Sequence, residues 1–288
     1  MKKRKLSVVI VVMLLSILTA VFAFPTLATF SASFMGSKEI NRRYGTAFSF
    51  TKYLNDNMTI SLIPDMVSTE QYETILLQSP VYLNRFWNSV MLVVPIAVLQ
   101  LVVAFLAAYG FSRYHGKLRN MIFFGYIVLL LMPYQVTMVP NYFVSKYLGI
   151  LNTRWAIILP GIFSPFSVYL LTKEMRRIPP SYLESAQIDG ASEWQVFKLI
   201  ACPMIRSAGV GVLLLVFFDY WSMVEQPLIL LDNEELHPLS VFLNQINGSD
   251  VGVAFAAAMV YVIPCLLLYL YGEEDLIAES SHNSGITG

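Results

Sequence analysis

Six apolar runs divide the chain, at roughly 6–30, 88–111, 121–140, 155–172, 208–231 and 252–272. Each is close to the ~20 residues that a helix needs to cross ~30 Å of hydrocarbon. The expected fold class is therefore all-α, a polytopic membrane protein with six transmembrane helices. Composition agrees. The apolar share is 56% and the charged share 13%, against about 45–50% and roughly 25% in ordinary globular chains. A soluble protein this apolar would have nothing to cover its surface. The formal net charge is zero, which gives no electrostatic footprint for nucleic acid. Cys202 and Cys265 lie at or inside apolar runs, so neither a structural disulfide nor a metal site is expected.

The third and fourth runs contain Pro133, Pro140, Pro160 and Pro165. Proline is tolerated in a span where neighbouring helices or water satisfy the freed carbonyls. These segments are expected to face protein or a pathway rather than lipid. Lys and Arg load the N-terminus "MKKRK", the loop holding Arg113, Lys117 and Arg119, and the loop holding Lys173, Arg176, Arg177, Lys198 and Arg206. By the positive-inside rule both termini are cytoplasmic. The first run competes with a cleaved signal peptide, but its apolar stretch is longer than a typical signal core. It is taken as a retained anchor over 1–30. The remaining organisation is an external segment at 31–87, a core at 88–272 with a cytoplasmic loop at 173–207, and a cytoplasmic tail at 273–288.

The external segment contains "MTISLIP", which alternates like a short strand. In "STEQYETILL" Ser68 and Gln71 fit a capping box, and Tyr72, Ile75 and Leu76 would share one helix face. A small folded cap and a docking surface for an external partner are both consistent with these residues.

The loop between Lys173 and Arg206 is too long for an unstructured connection in a compact domain. "RRIPPSYLESAQIDGAS" predicts a stop at Pro179–Pro180, then a helix capped by Ser181 with Glu184 three residues on. Gly190 can end that helix in a left-handed conformation. Ser192 then caps a second helix, with Trp194, Phe197 and Ile200 at helical spacing, and Pro203 closes or kinks it. The product is an elbow that exposes one short helix. An interfacial hairpin lying on headgroups is the alternative. Residues 181–190 carry Glu184 and Asp189 and no basic residue, so anionic headgroups would repel it.

Here the chain resembles a known family. "ESAQIDGASEWQVFKLIACP" resembles the "EAA---G---------I-LP" loop of ABC-importer permeases. "LMPYQVTMVPNYFVSKYLGILNTRWAIILP" resembles the proline-rich stretch of the sugar-uptake branch, of the maltose-type second permease subunit. "LIP…TEQYETIL" and "WNSVMLV…AAYGFSR" resemble that branch too, so the likeness covers about residues 55–270. It implies that the helix before the glycine is a coupling helix, seated in a cleft on a cytoplasmic ATPase. Glu184 would then be the acidic contact, Ser185 and Ala186 small positions for close approach, Gly190 the turn, and Asp189 part of the sugar-branch pattern. The implied partners are a homologous permease subunit, two ATPase subunits, an extracytoplasmic solute-binding protein and the lipid bilayer of a bacterial cell membrane. The chain itself takes no cofactor, since ATP is bound by the ATPases. Departures from the pattern are Ser185 for Ala, Cys202 for Leu, Ser207 where Pro is frequent, Ser222 where Asn is common, and an acidic tail where a basic one is usual. Ser207 suggests that the second elbow helix runs straight on into the fifth segment.

Ionisable residues inside spans are functional candidates by default. Asp219 with Tyr220 and Trp221 is a candidate pathway lining, with Gln135, Asn141 and Gln100 as weaker ones; simple packing is the alternative. Glu225 fits a solvated mouth. No G-x-x-x-x-G-K-[ST] motif is present, so the chain does not power transport alone. His115, His237 and His282 are scattered through loops, and no enzyme is expected. The reading that results is a permease subunit importing a sugar or oligosaccharide. An importer of another solute and a non-transporting scaffold or receptor are the alternatives.

Overall fold

The computed structural model describes residues 2–48, 62–245 and 251–284. Among these the chain is helical, with a single isolated β-bridge between Met35 and Val67. The helices are α1 Lys2–Ser33, α2 Ser37–Phe48, α3 Glu70–Glu73, α4 Pro80–Arg113, α5 Lys117–Leu130, α6 Tyr134–Tyr147, α7 Trp155–Gly161 and α8 Pro165–Met175. They continue as α9 Pro180–Ile188, α10 Glu193–Val196, α11 Cys202–Met204, α12 Arg206–Trp221, α13 Glu225–Leu230, α14 Leu239–Asn244 and α15 Val251–Ser284. Four stretches are long and apolar enough to cross a membrane: Val9–Ser33, Pro80–Arg113, Trp155–Met175 and Val251–Asp275. Two bent pairs, α5 with α6 at 105° and Glu193–Met204 with α12 at 75°, bring the number to six if each crosses as one.

The breaks have local causes. Pro133 is extended, with φ −60° and ψ 142°. It lacks an N–H and disfavours helix at the preceding residue. The third apolar run is thus two helices rather than one. Between α7 and α8, Ser164 caps the next helix, its Oγ accepting from the Ser167 N–H, and Pro165 occupies the first turn. The fifth run also differs from expectation. Its helix ends at Trp221, and Glu225–Leu230 forms the separate α13. Nor does the elbow run straight into it. Ile205 leaves the helical region at φ −110° and ψ 25°, just after Pro203 and the π-helical turn Phe197–Ala201. The chain turns there despite Ser207.

The described residues fall into two compact units, one made of Met1–Asn84 with Phe242–Ile263, the other of Arg85–Val241 with Pro264–Gly288. In the first, α1 carries an apolar window in which no residue is buried among the described residues. A helix apolar all round suits a lipid or protein-buried setting. The small core gathers Ala32, Met35, Ile40, Tyr44 and Val251. Arg43 pairs with Glu39 at 2.9 Å and with Asp65. The expected Ser68–Gln71 capping box does not form. The helix starts one residue later behind Thr69, because buried Gln71 donates instead to Ser37 Oγ at 3.0 Å. Ile75 is buried in the π-helical turn Thr74–Gln78 that continues it, while Leu76 is exposed. Most of "MTISLIP" lies outside the described residues, and Leu62–Pro64 form no strand.

In the second unit, α4, α7, α8 and α12 supply the core, with Leu92, Ile96, Ile157, Leu171 and Val212 at its centre. The stretch 231–241 folds back onto the start of α4. Asn88 donates to the carbonyls of Glu235 (2.6 Å) and His237 (3.2 Å) and accepts from Arg154 (2.7 Å). Ser89 Oγ accepts from the Leu239 N–H at 3.0 Å.

Candidate functional site

The elbow is built by local rules. Pro179 is extended and Pro180 opens α9, with no side-chain cap. Ser181 is therefore not the cap. Proline's fixed φ is preorganised for the first helical position, and Ser181 instead accepts through its carbonyl from Ser185 Oγ at 2.7 Å. At the other end Gly190 has φ +86°. The Ala191 N–H reaches the Ala186 carbonyl (2.9 Å) and the Gly190 N–H that of Gln187 (3.0 Å), a Schellman closure. Ser192 caps α10 as expected. Gln195 completes a capping box there by accepting from the Ser192 N–H at 2.7 Å.

Leu183 is the buried residue of α9, and Ala186 packs partly against the same core. Glu184, Ser185 and Asp189 are exposed. So are two residues that reading the sequence passed over, Tyr182 and Ile188, the latter 86% exposed. They lie off the Leu183–Ala186 stripe, and that phase was the available signal. In α10 and the turn after it, Phe197 is buried and Trp194 is exposed. On the same side of the unit, burial and the nearby Arg119 charge hold the Arg176 guanidinium below its ordinary pKa. Arg176 also lies 4.6 Å over the Phe123 ring.

Between α4, α5, α6, α7, α8 and α12 lies a cavity of about 920 Å³. Gln100, Tyr134, Thr137, Asn141, Asp219 and Tyr220 contribute polar groups to it, and Gln226 reaches it from α13. Gln100 is 2% exposed; its Nε2 donates to Ser167 Oγ at 2.7 Å, and its Oε1 has no partner among the described residues. Gly161 keeps the wall thin, since a Cβ there would come 3.1 Å from Tyr220 Oη. The candidates Gln100, Asn141, Asp219 and Tyr220 are thus brought together. Trp221 is not among the lining residues: it is 2% exposed and stacks on Phe217 at 5.1 Å. Gln135 is exposed and does not line the cavity. Glu225, at the start of α13, is exposed. Among the described residues no His, Cys, Asp and Glu cluster could hold a metal.

A multi-pass helical protein with a polar-lined cavity between its spans and a two-helix elbow at one end has the architecture of a transport permease. The chain belongs to the family of binding-protein-dependent transport system inner membrane components, whose model matches residues 100–272. It is a permease component of such an importer, not an enzyme. It is 29% identical over 195 residues to the lactose transport system permease protein LacG of Rhizobium radiobacter, covering 67% of this chain and 71% of that one. It is 24% identical over 258 residues to the arabinooligosaccharides transport system permease protein AraQ of Halalkalibacterium halodurans, covering 88% of each. The fold matches a chain from the crystal structure of a bacterial ABC transporter involved in the import of the acidic polysaccharide alginate. The TM-score is 0.79 at 20% identity, over 95% of this chain and 98% of that one.

Proposed function

We propose that this chain imports a sugar or oligosaccharide, handed over by an external solute-binding protein, as one of two homologous permease subunits in a bacterial cell membrane. Two separate ATPase subunits bind the ATP, and this chain binds no cofactor. The relatives' transport of lactose and arabinooligosaccharides supports the substrate class. Aromatic and hydroxyl or amide groups facing one cavity suit a polyol. Gln100, Asn141, Asp219 and Tyr220 would line the pathway. Both termini are cytoplasmic in this reading, because Lys and Arg concentrate at the N-terminus and on the elbow side.

The observation that carries the proposal is α9, a short helix that offers Glu184, Ser185, Ile188 and Asp189 outward and closes on Gly190 at φ +86°. Small and acidic groups on an exposed helix permit close approach and a charge-assisted hydrogen bond. α9 is the coupling helix. A Cβ at Gly190 meets nothing within 4 Å, so substitution there acts through backbone strain of roughly 1 kcal/mol or more. Gly190→Val should tilt or unwind α9, and Glu184→Lys should leave it folded with the wrong charge outward. Both variants should insert normally, lose uptake, and retain the ATPases poorly on purification, Glu184→Lys the more so. Normal uptake and full ATPase retention in either would favour a scaffold instead.

A further inference from the structure

The polar ties between the elbow and the spans converge on one carboxylate. Glu193, the first residue of α10, accepts from Tyr109 Oη at 2.5 Å and from Gln187 Nε2 at 2.6 Å. Arg113 Nε lies 3.7 Å from the same carboxylate, and Arg113 Nη2 donates to Gln187 Oε1 at 2.7 Å. The Tyr109 and Phe197 rings meet at 5.2 Å. Tyr109 and Arg113 stand one turn apart on the same face of α4. Gln187 belongs to α9. Three helices therefore meet at Glu193.

We infer that Glu193 is a positioning residue that passes movement of α9 to α4, and through α4 to the cavity. This rests on the proposal that α9 docks on an ATPase. A push on α9 reaches the spans through its covalent neighbours α8 and α10, through the apolar packing of Leu183 and Ala186, and through the polar ties to α4. The forward covalent route runs through α10 to α12 and crosses the 75° bend at Ile205, a joint able to absorb rotation. The polar route leaves through Glu193 into α4, whose only internal proline is Pro95, beyond Gln100 as seen from Tyr109. Along that uninterrupted stretch Gln100 stands about 14 Å from Tyr109 at 1.5 Å per residue. Displacing the inner end of α4 therefore displaces a buried side chain of the cavity wall. Half-exposed bonds of this kind contribute little to stability. Removing them leaves the fold and the packing of Leu183 and Ala186 standing and loosens the hold of α9 on α4.

The test uses the assembled transporter with its binding protein in proteoliposomes. A cysteine is placed at cavity residue Leu129, with Cys202→Ser and Cys265→Ser as background. Labelling by an impermeant maleimide is followed before and after trapping with Mg-ATP and vanadate. In this parent, trapping should change the labelling rate about tenfold. In Glu193→Ala the change should fall below about twofold, while ATPase retention and ATP hydrolysis persist. Glu193→Gln keeps an acceptor oxygen and should restore most of the response. Tyr109→Phe keeps the ring contact and should show a partial loss. A response in Glu193→Ala equal to the parent's overturns the inference, as does a parent that does not respond. Should Glu193→Ala shed the ATPases, Tyr109→Phe decides, and an undiminished response there overturns it. If Glu184→Lys keeps the ATPases, it is the docking role of α9 that fails. If Glu184→Lys loses them and Glu193→Ala responds fully, only the role of Glu193 fails.

Discussion

The stretches 231–241 and 180–190 both belong to the second unit, and they treat their side chains in opposite ways. In the first, Leu231, His237, Leu239, Ser240 and Val241 are all buried. Its backbone is held by Asn88, Ser89 and Asn152. In the second, Leu183 is the buried residue, and the polar ties to the spans run through Glu193 and Arg113. The anchors Asn88 and Tyr109 sit on one helix, roughly 30 Å apart along its axis, about the thickness of the hydrocarbon layer. One end of α4 is thus closed by a loop that completes the permease from within. The other end carries a helix whose outward face, Glu184, Ser185 and Ile188, is exposed.

Substitutions should separate the two plans. The largest effect on stability belongs to the packed loop. Asn88→Ala strands the buried His237 carbonyl and the partly buried Arg154 and removes the bond to the Glu235 carbonyl, and should cost about 3 kcal/mol. That corresponds to a fall of roughly 5–10 °C in the thermal midpoint of the purified chain. A midpoint within a degree of the parent would remove the contrast. Ser192→Ala deletes the cap of α10 and should cost about 1 kcal/mol, seen as faster amide exchange confined to 193–196. Glu184→Gln should leave stability within ~0.5 kcal/mol yet weaken ATPase retention. Cysteines at Asp232 and Asn120 sharpen the comparison without perturbing either end. From outside the cell, the first should react with an impermeant thiol reagent and the second should not; the reverse pattern would invert the assigned orientation.

What the sequence revealed follows the range of the interactions. Gly190 and Ser192 were legible because a left-handed closure and a cap are decided within a few residues. Pro133 reads as a proline tolerated inside one span, a reading that misses the 105° bend it marks between α5 and α6. Ser181 misled because Pro180 already supplied a helix start, which makes a side-chain cap unnecessary. The turn at Ile205 was half legible: Pro203 reads as closing or kinking the second elbow helix, whereas Ser207 points to a straight run into the fifth segment that the chain does not make. Glu193 and Asn88 look like ordinary polar residues in sequence. Their partners lie far along the chain, Tyr109 at a separation of 84 and His237 at 149, and only the fold brings them together. The cavity shows the same limit. Asp219 and Tyr220 stood out as polar groups in an apolar run, whereas Trp221 beside them turns the other way, into the core.

The docking of α9 is tested most directly by placing a photo-crosslinking amino acid at Ile188, the most exposed apolar side chain of that helix, with Glu234 in the opposite loop as control. Irradiation of native membranes should give an adduct with the ATPase subunit from Ile188 and none from Glu234. Adducts only with lipid, or equal ATPase adducts from both positions, would contradict the account.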